Sequence, residues 1–253
     1  MVATLPVLTF HALDDRPSVI SFPVPLFRRA MAGLYQRGFR TVDLLEVVDR
    51  LQRGVPLPQG SLVITFDDGY RSVYEEAFPV LERYGMCATV FLTVGEERKK
   101  EPASRLPSLN GRSMLSWREI GEMRSAGIFF GAHSLCHIDL TQAPQDRVEA
   151  EMCQSKSIIE DALGTVVACF AYPYGRFDRQ SVALARQHFA GACSDELGLV
   201  SPNSDPHTLE RVDAYYLRSD RLFDLMTTRL FPLYLAARNI PRRIRRASQS
   251  NLG

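Results

Sequence analysis

Short apolar segments alternate with amphipathic segments along most of this 253-residue chain, and the alternation limits the folds that the chain can adopt. Val7–Phe10, Leu62–Phe66 and Ile128–Ala132 are apolar runs of strand length. In Pro25–Gly38 the apolar residues recur at helical spacing, with proline suited to the first turn and glycine to the exit. Strands that alternate with helices predict a parallel sheet covered by helices.

The same alternation continues toward the C-terminus. Further strands are predicted at Phe39–Val42, Cys87–Leu92, Val166–Tyr172 and Ala190–Cys193. Further helices are predicted at Leu44–Leu51, Ser72–Tyr84 with a break at Pro79, Ser116–Gly127, Gln145–Leu163 and Asp178–His188. With about seven alternations, closure into an α/β barrel is the most economical prediction, and an open doubly wound sheet is the alternative.

Composition narrows the range of functions. A net charge of +1 argues against a protein built mainly to bind nucleic acid, and 45 % hydrophobic residues allow a sizeable core. The five cysteines form no C-x-x-C pair, which favours reduced thiols in a cytosolic chain. Residues 1–6 lack the features of a secretory signal, and no apolar run is long enough to cross a bilayer, so we expect a cytoplasmic protein.

Two adjacent carboxylates, Asp67 and Asp68, follow the strand Leu62–Phe66 in the segment T-F-D-D-G. Functional groups gather at the carboxyl ends of the strands in parallel α/β folds. Two ionised carboxylates held close together repel each other, but a cation bound by one of them leaves the other free as a base. A simple turn is the alternative interpretation, because Asp-Asp-Gly suits a turn.

Two histidines, His133 and His137, follow the strand Ile128–Ala132 in the segment H-S-L-C-H. Neutral imidazoles are common ligands of zinc and similar metals, and a spacing of four lets both reach one ion if the segment turns helically. Two polar loop residues are the alternative. Combined with the two carboxylates, the histidines indicate a His-His-Asp ligand set with open positions, which is typical of catalytic metal sites.

A third segment, F-A-Y-P-Y-G at residues 170–175, ends the next predicted strand. Aromatic residues interleaved with proline and glycine make a rigid, irregular lip. Such a lip can present a backbone N–H to an oxyanion. Taken alone, the segment is better explained as a strand end followed by a turn.

These three segments, in this order, resemble the motifs of the NodB-homology polysaccharide deacetylase family (carbohydrate esterase family 4). The resemblance implies an irregular (β/α)7 barrel. It also implies that Asp67 is the catalytic base, and that Asp68, His133 and His137 hold a divalent metal, with zinc expected before cobalt or nickel. The F-A-Y-P-Y-G form is similar to the branch that contains exopolysaccharide and poly-N-acetylglucosamine deacetylases.

One departure from the family pattern concerns the charge partner of Asp67. The usual third motif, R-x-P-[YF], has an arginine where this chain has Ala171. The resemblance therefore leaves the partner of Asp67 open, with Arg211 as a candidate substitute.

A second departure concerns the catalytic acid. The family motif L-x-H usually supplies it near the C-terminus, but no histidine follows His207. This branch resembles a circular permutation, in which the strand Val7–Phe10 and His11 stand at the front of the chain. The resemblance therefore assigns the acid to His11, and an ordinary histidine after a strand is the alternative.

The implied reaction is removal of N-acetyl groups from amino sugars of a polysaccharide or of its lipid-linked precursor. Asp67 would accept the proton of the attacking water, His11 would protonate the leaving amine, and the Tyr174 backbone N–H would bind the oxyanion. The expected substrate-binding residues are Tyr172, Pro173, Tyr174 and Arg211. Hydrolysis of another non-peptide C–N bond, in a ureide or cyclic imide, is one alternative, and glycan binding without catalysis is another.

Residues 1–236 are expected to form the catalytic domain, and residues 237–253 a basic tail. The arginines of the tail are Arg238, Arg242, Arg243, Arg245 and Arg246. They could hold the protein at an anionic membrane surface, and a solvated disordered end is the alternative. The expected partner is an N-acetylated glycan, with no nucleic acid and with peripheral contact at the inner membrane face.

Overall fold

The computed structural model describes residues 4–95 and 105–250, with side chains described up to residue 240. The strands of this part of the chain are β1 (Val7–Phe10), β2 (Ala12–Leu13), β3 (Ser21–Phe22), β4 (Arg40–Thr41), β5 (Ser61–Phe66), β6 (Thr89–Leu92), β7 (Phe129–Ala132), β8 (Cys169–Ala171), β9 (Gly191–Leu197) and β10 (Leu209–Asp213). Seven of them, β1 and β5 to β10, pair in parallel around a closed ring. The predicted α/β barrel is confirmed, and the open sheet is not formed.

Helices cover the strands, as the alternation predicts. They are α1 (Val24–Gln36), α2 (Leu44–Gln52), α3 (Phe78–Arg83), α4 (Trp117–Ser125), α5 (Gln145–Leu163), α6 (Arg179–His188), α7 (Asp220–Met226) and α8 (Phe231–Ser250). Capping boxes begin α4 at Ser116 and α6 at Asp178, because each side chain accepts a hydrogen bond from the backbone three residues later.

The N-terminal strand β1 closes the barrel. It lies between β10, where Leu8 is opposite Val212, and β5, where Leu8 is opposite Ile64. The first barrel strand in the chain is thus the neighbour of the last. A residue that follows β1 therefore lies at the same edge of the barrel as residues that follow β5 and β10, which is the neighbourhood that the permuted arrangement of His11 requires.

The side chains of the barrel strands form two layers, because successive residues of a strand point to opposite faces of the sheet. On one face, Val7 and Val63 belong to a buried apolar cluster that also includes Val48 of α2. On the same face of the strands, nearer their carboxyl ends, lie Thr9 and Thr65, whose hydroxyl oxygens are 3.2 Å apart. The opposite face packs against the outer helices in a larger cluster. An apolar layer thus underlies the carboxyl edge of the barrel.

Several boundaries differ from the predicted ones. The segment Ser72–Tyr84, predicted as a helix with a break at Pro79, forms a π-helical turn, Val73–Ala77, followed by α3. The change from π-helix to α-helix occurs just before Pro79, because proline has no N–H with which to continue the hydrogen bonds of the preceding turn. The strand predicted at Ala190–Cys193 extends to Leu197 as β9, and β10 was not predicted.

The C-terminal segment predicted as a tail is helical. Helix α8 runs from Phe231 to Ser250 and continues through the domain boundary expected at residue 236. The side chains of Arg242, Arg243, Arg245 and Arg246 lie outside the described residues, so the role expected for the tail stays a prediction. Across residues 4–95 and 105–250, no helix combines the length and apolar character needed to span a bilayer.

Candidate metal centre and active-site cleft

A cleft of about 280 Å³ opens at the carboxyl edge of the barrel. It brings together residues from five strand ends that are far apart in the chain. The side chains that line it include His11, Asp67, Asp68, His133, His137, Tyr174 and Arg211. The cleft therefore collects the predicted catalytic and metal-binding residues at one site.

The predicted metal ligands Asp68, His133 and His137 converge in this cleft. One oxygen of Asp68, Oδ1, lies 3.2 Å from His137 Nε2 and 3.5 Å from His133 Nε2. Ligand atoms around a tetrahedral zinc ion with bonds of about 2.0–2.2 Å are about 3.3–3.5 Å apart. Asp68 Oδ1 is buried, and no group in the described part of the chain makes a well-directed hydrogen bond to it. The three side chains thus suit one divalent cation.

The imidazole of His133 is held in the tautomer that a metal requires. Its Nδ1 lies 2.7 Å from the carbonyl oxygen of Ala171, to which it donates a hydrogen bond. Nε2 is then left with a free lone pair directed at Asp68. Burial lowers the pKa of His133 to about 4, against the opposing effect of the Asp67 charge. The ring is therefore neutral at physiological pH, as a ligand must be.

Unusual backbone conformations position these ligands. Asp68, Ser134 and His137 all have positive φ angles, of 74°, 64° and 54°. Residues other than glycine adopt this region at a cost, and such strain is concentrated at functional sites. The Ser134 hydroxyl accepts a hydrogen bond from the His137 backbone N–H, which closes the loop between the two histidines.

A second support of the histidine loop is Glu151 of α5, which sequence reasoning missed. Its carboxylate is fully buried, and Oε2 accepts hydrogen bonds of 2.8 Å from the backbone N–H groups of Leu135 and Cys136. The other oxygen, Oε1, is 2.7 Å from Arg147. Glu151 lies within a predicted helix and outside every motif, so its only sequence sign is an acidic residue at a helix position that faces the core.

Asp67, the other carboxylate of the T-F-D-D-G segment, is paired with Arg211 and is not one of the three predicted metal ligands. The two terminal guanidinium nitrogens of Arg211, Nη1 and Nη2, each donate a 2.8 Å hydrogen bond to one oxygen of Asp67. The Nε of Arg211 donates to the carbonyl of Ser194. Burial would raise the pKa of Asp67, but the Arg211 charge and hydrogen bond, together with the nearby His133 and His11, outweigh burial and lower that pKa below its usual value. Asp67 is therefore an ionised carboxylate with a fixed orientation.

The pair identifies the charge partner of Asp67, which was left open because Ala171 stands where the family motif has an arginine. The arginine missing from the third motif is replaced by one that reaches Asp67 from β10. The side chain of Arg211 is buried, and its guanidinium contacts Asp67 and the Ser194 carbonyl. These contacts make Arg211 the charge partner of Asp67. Arg211 also lines the cleft, and its direct contact with substrate stays a prediction.

His11 lies beside Asp67 on the cleft wall. Its Nε2 is 3.8 Å from Asp67 Oδ2, beyond hydrogen-bond distance, and its side chain is partly exposed to the cleft. The position next to the metal trio, at the end of β1, is the one that an acid in a permuted chain would occupy.

The F-A-Y-P-Y-G segment divides between the cleft and the core. Tyr174 is exposed, has a φ of 57°, and packs its ring against His137 at 4.6 Å between centroids. Gly175 is needed directly after it, since a Cβ there would collide with the backbone of Asp195.

Two residues of the same segment were wrongly expected to bind substrate. Tyr172 is fully buried, and its hydroxyl donates to the carbonyl of His207. Pro173 is also buried and does not line the cleft. Their side chains support the lip from below, because the turn that exposes Tyr174 directs its neighbours into the core.

The geometry defines a class of protein, an α/β barrel whose carboxyl edge carries three side chains that could hold a metal ion beside an ionised carboxylate. The sequence profile named "Polysaccharide deacetylase" matches residues 54–190. This match covers more than half of the chain, and the protein belongs to the polysaccharide deacetylase family. It is a deacetylase by family and by its named relatives.

Individual relatives agree with this assignment. "Putative polysaccharide deacetylase YxkH" of Bacillus subtilis (strain 168) is 27 % identical over 83 % of this chain and 71 % of its own length. A poly-beta-1,6-N-acetyl-D-glucosamine N-deacetylase of Staphylococcus aureus is 25 % identical over 68 % of this chain, which spans 59 % of that protein. The solved structure of IcaB from Ammonifex degensii has a TM-score of 0.74 and 25 % identity, over 88 % of this chain and 95 % of that one.

Proposed function

We propose that this protein is a metal-dependent hydrolase that removes N-acetyl groups from amino sugars of a polysaccharide or of its lipid-linked precursor. One observation carries the proposal. Three side chains suited to a divalent cation lie next to a second carboxylate, Asp67, which is buried, ionised and held by Arg211. A site that only binds glycan has no need of a base in that position.

Asp68, His133 and His137 would hold the metal, with zinc expected before cobalt or nickel. A bound cation of this kind polarises an acyl oxygen and lowers the pKa of water. Three protein ligands leave open positions, as catalytic sites require. The loop supported by Ser134 and Glu151 keeps the two imidazoles aligned with Asp68.

Asp67 would accept the proton of the attacking water. The bidentate pair with Arg211 occupies one side of the carboxylate and fixes its plane, and a carboxylate has lone pairs left for a further donor. Because Arg211 keeps Asp67 ionised, the base is in its active form at neutral pH.

His11 would protonate the departing amine, and the backbone N–H of Tyr174 would donate to the oxyanion. His11 is close enough to Asp67 for both to face one substrate, and its partial exposure allows exchange of its proton with solvent. The ring of Tyr174, packed against His137, forms one wall of the acyl site.

The substrate class follows from the family and from the relatives. The staphylococcal relative carries poly-beta-1,6-N-acetyl-D-glucosamine in its name, and IcaB has the same barrel. We therefore propose a glycan of N-acetylglucosamine as the substrate of this chain. Hydrolysis of a ureide or cyclic imide is the rival, since the same constellation could act on another C–N bond.

Acetate release tests the proposal. Metal-depleted protein is mixed with β-1,6-linked N-acetylglucosamine oligomers and then with Zn²⁺, Co²⁺ or Ni²⁺. We expect acetate to appear only after metal is added. Asp67→Asn should keep metal and lose turnover, whereas Asp49→Asn on the surface of α2 should keep both.

Two results would contradict the proposal. Turnover of a cyclic imide or ureide without any acetate release from the oligomers would favour the rival hydrolase. Oligomer binding by the metal-loaded protein, with neither activity, would identify a member that binds glycan without catalysis.

A further inference from the structure

Helix α8 has an inner face that is anchored to the barrel. Phe231 and Leu235 are buried on it. The hydroxyl of Tyr234 donates to the carbonyl of Tyr216 at 2.6 Å, and the side-chain amide of Asn239 donates to the carbonyl of Leu197 at 2.5 Å. The first half of the helix therefore has a fixed orientation on the barrel.

The outer face of the same segment is apolar and exposed. Leu230, Leu233 and Ile240 are 60 %, 67 % and 59 % exposed. Positions seven apart lie on one side of a helix, so Leu233 and Ile240 form a stripe on α8, and Leu230 is exposed in the turn directly before it. Single exposed apolar residues are common, but an aligned set on a helix marks an interaction surface.

The charge of this region is entirely of one sign. From Met226 to the C-terminus the sequence contains neither Asp nor Glu. It contains six arginines: Arg229, Arg238, Arg242, Arg243, Arg245 and Arg246. The net charge of the whole chain is only +1, so the positive charge is concentrated at this end.

We propose that the outer face of α8 docks on an anionic lipid bilayer. A helix that lies in the membrane interface combines an apolar face with a basic polar face, and this composition is present here. Arginines near an anionic surface add attraction that salt screens. The charge selects the partner, because an apolar stripe on a segment whose charged residues are all arginines complements acidic headgroups.

The location of α8 relates this surface to the cleft. Leu197 and Tyr216, whose carbonyls the helix binds, also line the cleft. Arg238 extends over the ring of Tyr216, with its guanidinium carbon 5.9 Å from the ring centroid. Docking of α8 would bring this rim close to the membrane. The placement of the cleft near the membrane would suit a lipid-linked substrate, and this link to the substrate rests on the proposed function. The docking of α8 itself does not depend on the proposed function.

Vesicle flotation tests the docking. The full-length protein is mixed with vesicles of phosphatidylglycerol and phosphatidylcholine, or of phosphatidylcholine alone, at low and at high salt. We expect binding only to the anionic vesicles, and weaker binding at high salt. Replacement of Arg242 and Arg243 by Ser should weaken binding by about fivefold for each residue.

The apolar stripe is tested with a matched pair of variants. Leu233→Ser/Ile240→Ser should weaken binding to anionic vesicles by about tenfold or more, because two apolar side chains leave the interface. Val166→Ser removes an exposed apolar side chain from the loop between α5 and β8, and should leave binding unchanged. Both variants should release acetate from soluble oligomers at the rate of the unmodified protein, so a failure of docking is separate from a failure of the proposed activity.

Three outcomes would overturn the proposal. One is an absence of binding to anionic vesicles at low salt, and another is equal binding by the unmodified protein and Leu233→Ser/Ile240→Ser. The third is self-association that the double variant abolishes, without vesicle binding, which would identify a second copy of the chain as the occupant of this face. Sedimentation velocity, run on both proteins, detects that case.

Discussion

Arg211 holds Asp67 through two parallel hydrogen bonds of 2.8 Å, although the two residues are 144 positions apart in the sequence. Asp67 follows β5 and Arg211 lies on β10, and β1 joins these two strands in the barrel. Both side chains are buried. The pair therefore depends on barrel closure by the N-terminal strand, and it links the fold directly to the charge state of the proposed catalytic base.

Replacement of Arg211 by Met should destabilise the protein and abolish turnover. The variant leaves an uncompensated buried carboxylate, a change that typically costs about 3–5 kcal/mol. Asp67 would also become protonated more easily and lose its orientation. Urea unfolding measures the first effect, and acetate release measures the second.

A double variant separates the two effects. Asp67→Asn/Arg211→Met has no buried charge at this site, so much of the lost stability should return while turnover stays absent. If Arg211→Met alone were as stable and as active as the unmodified protein, the pair would have neither role.

Variants of a metal ligand and of the base should differ in their effect on zinc content. His137→Ala removes one of three ligands and should lower the zinc content and the activity together. Asp67→Asn should keep its zinc and lose turnover by about 10²–10⁴-fold, the usual contribution of a general base. Elemental analysis of the purified variants measures the metal. Full zinc occupancy in His137→Ala would contradict the ligand assignment.

Much of this site could be predicted from sequence because its parts are local. The carboxylate pair and the histidine pair each occupy a few consecutive residues at a strand end, and parallel strands place such ends at one edge. The bounds of α5 were predicted to the residue, since its helical spacing is long and Gly164 ends it in a left-handed conformation.

Long-range contacts could not be predicted in the same way. The Asp67–Arg211 pair required the register of β10, a strand whose sequence, L-E-R-V-D, is too polar to be recognised as buried. Tyr172 has the aromatic character of a sugar-binding residue, and only the turn at Tyr174 decides that it points into the core. Local sequence specifies which groups are present, while tertiary packing decides which way each one faces.

Glu151 should act on the metal through the loop that it supports. In Glu151→Leu the N–H groups of Leu135 and Cys136 lose their acceptor, and a buried unsatisfied donor costs about 1–3 kcal/mol. The histidines should then be less well aligned, and zinc affinity should fall by about 10–100-fold, as when other supports of metal ligands are removed. Competition with a chromogenic chelator measures this affinity.

Asp146→Asn provides the control for this test, since Asp146 lies on the same helix but is exposed. It should bind zinc like the unmodified protein. A Glu151→Leu variant that was folded and had undiminished zinc affinity would show that the loop keeps its shape without this carboxylate.

Glu119 should make stability depend on pH. Burial would raise its pKa, but hydrogen bonds from the Ser116 backbone, Arg71 and Arg105 outweigh burial and lower it from 4.5 to about 2. A lowered pKa in the folded state stabilises the protein above the unfolded pKa, and this contribution is lost as the pH falls toward the folded value. Glu119→Gln should therefore be less stable by about 1–2 kcal/mol near pH 7.

The difference between the two proteins should narrow as the pH is lowered from about 4.5 toward 2, where the native carboxylate takes up its proton. Urea unfolding at several pH values measures it. Glu122→Gln, on the exposed side of α4, is measured in parallel as the control. A difference that stayed constant across this range would mean that the charge of Glu119 does not contribute.

His11 provides the test of the permuted active site. Its Nε2 is 3.8 Å from Asp67, and it does not belong to the metal trio, so His11→Ala should leave zinc content intact. An amine is a poor leaving group and needs a proton from an acid, whereas an activated acetyl ester needs little assistance. The variant should therefore lose activity by about 10²–10⁴-fold on N-acetyl substrates and by much less on the ester.

The unmodified protein and Asp67→Asn are assayed beside His11→Ala, because loss of the base should slow the hydrolysis of both substrates. Equal losses in His11→Ala would mean that the acid is another group in the cleft, and Asp213, at the end of β10, would be examined next.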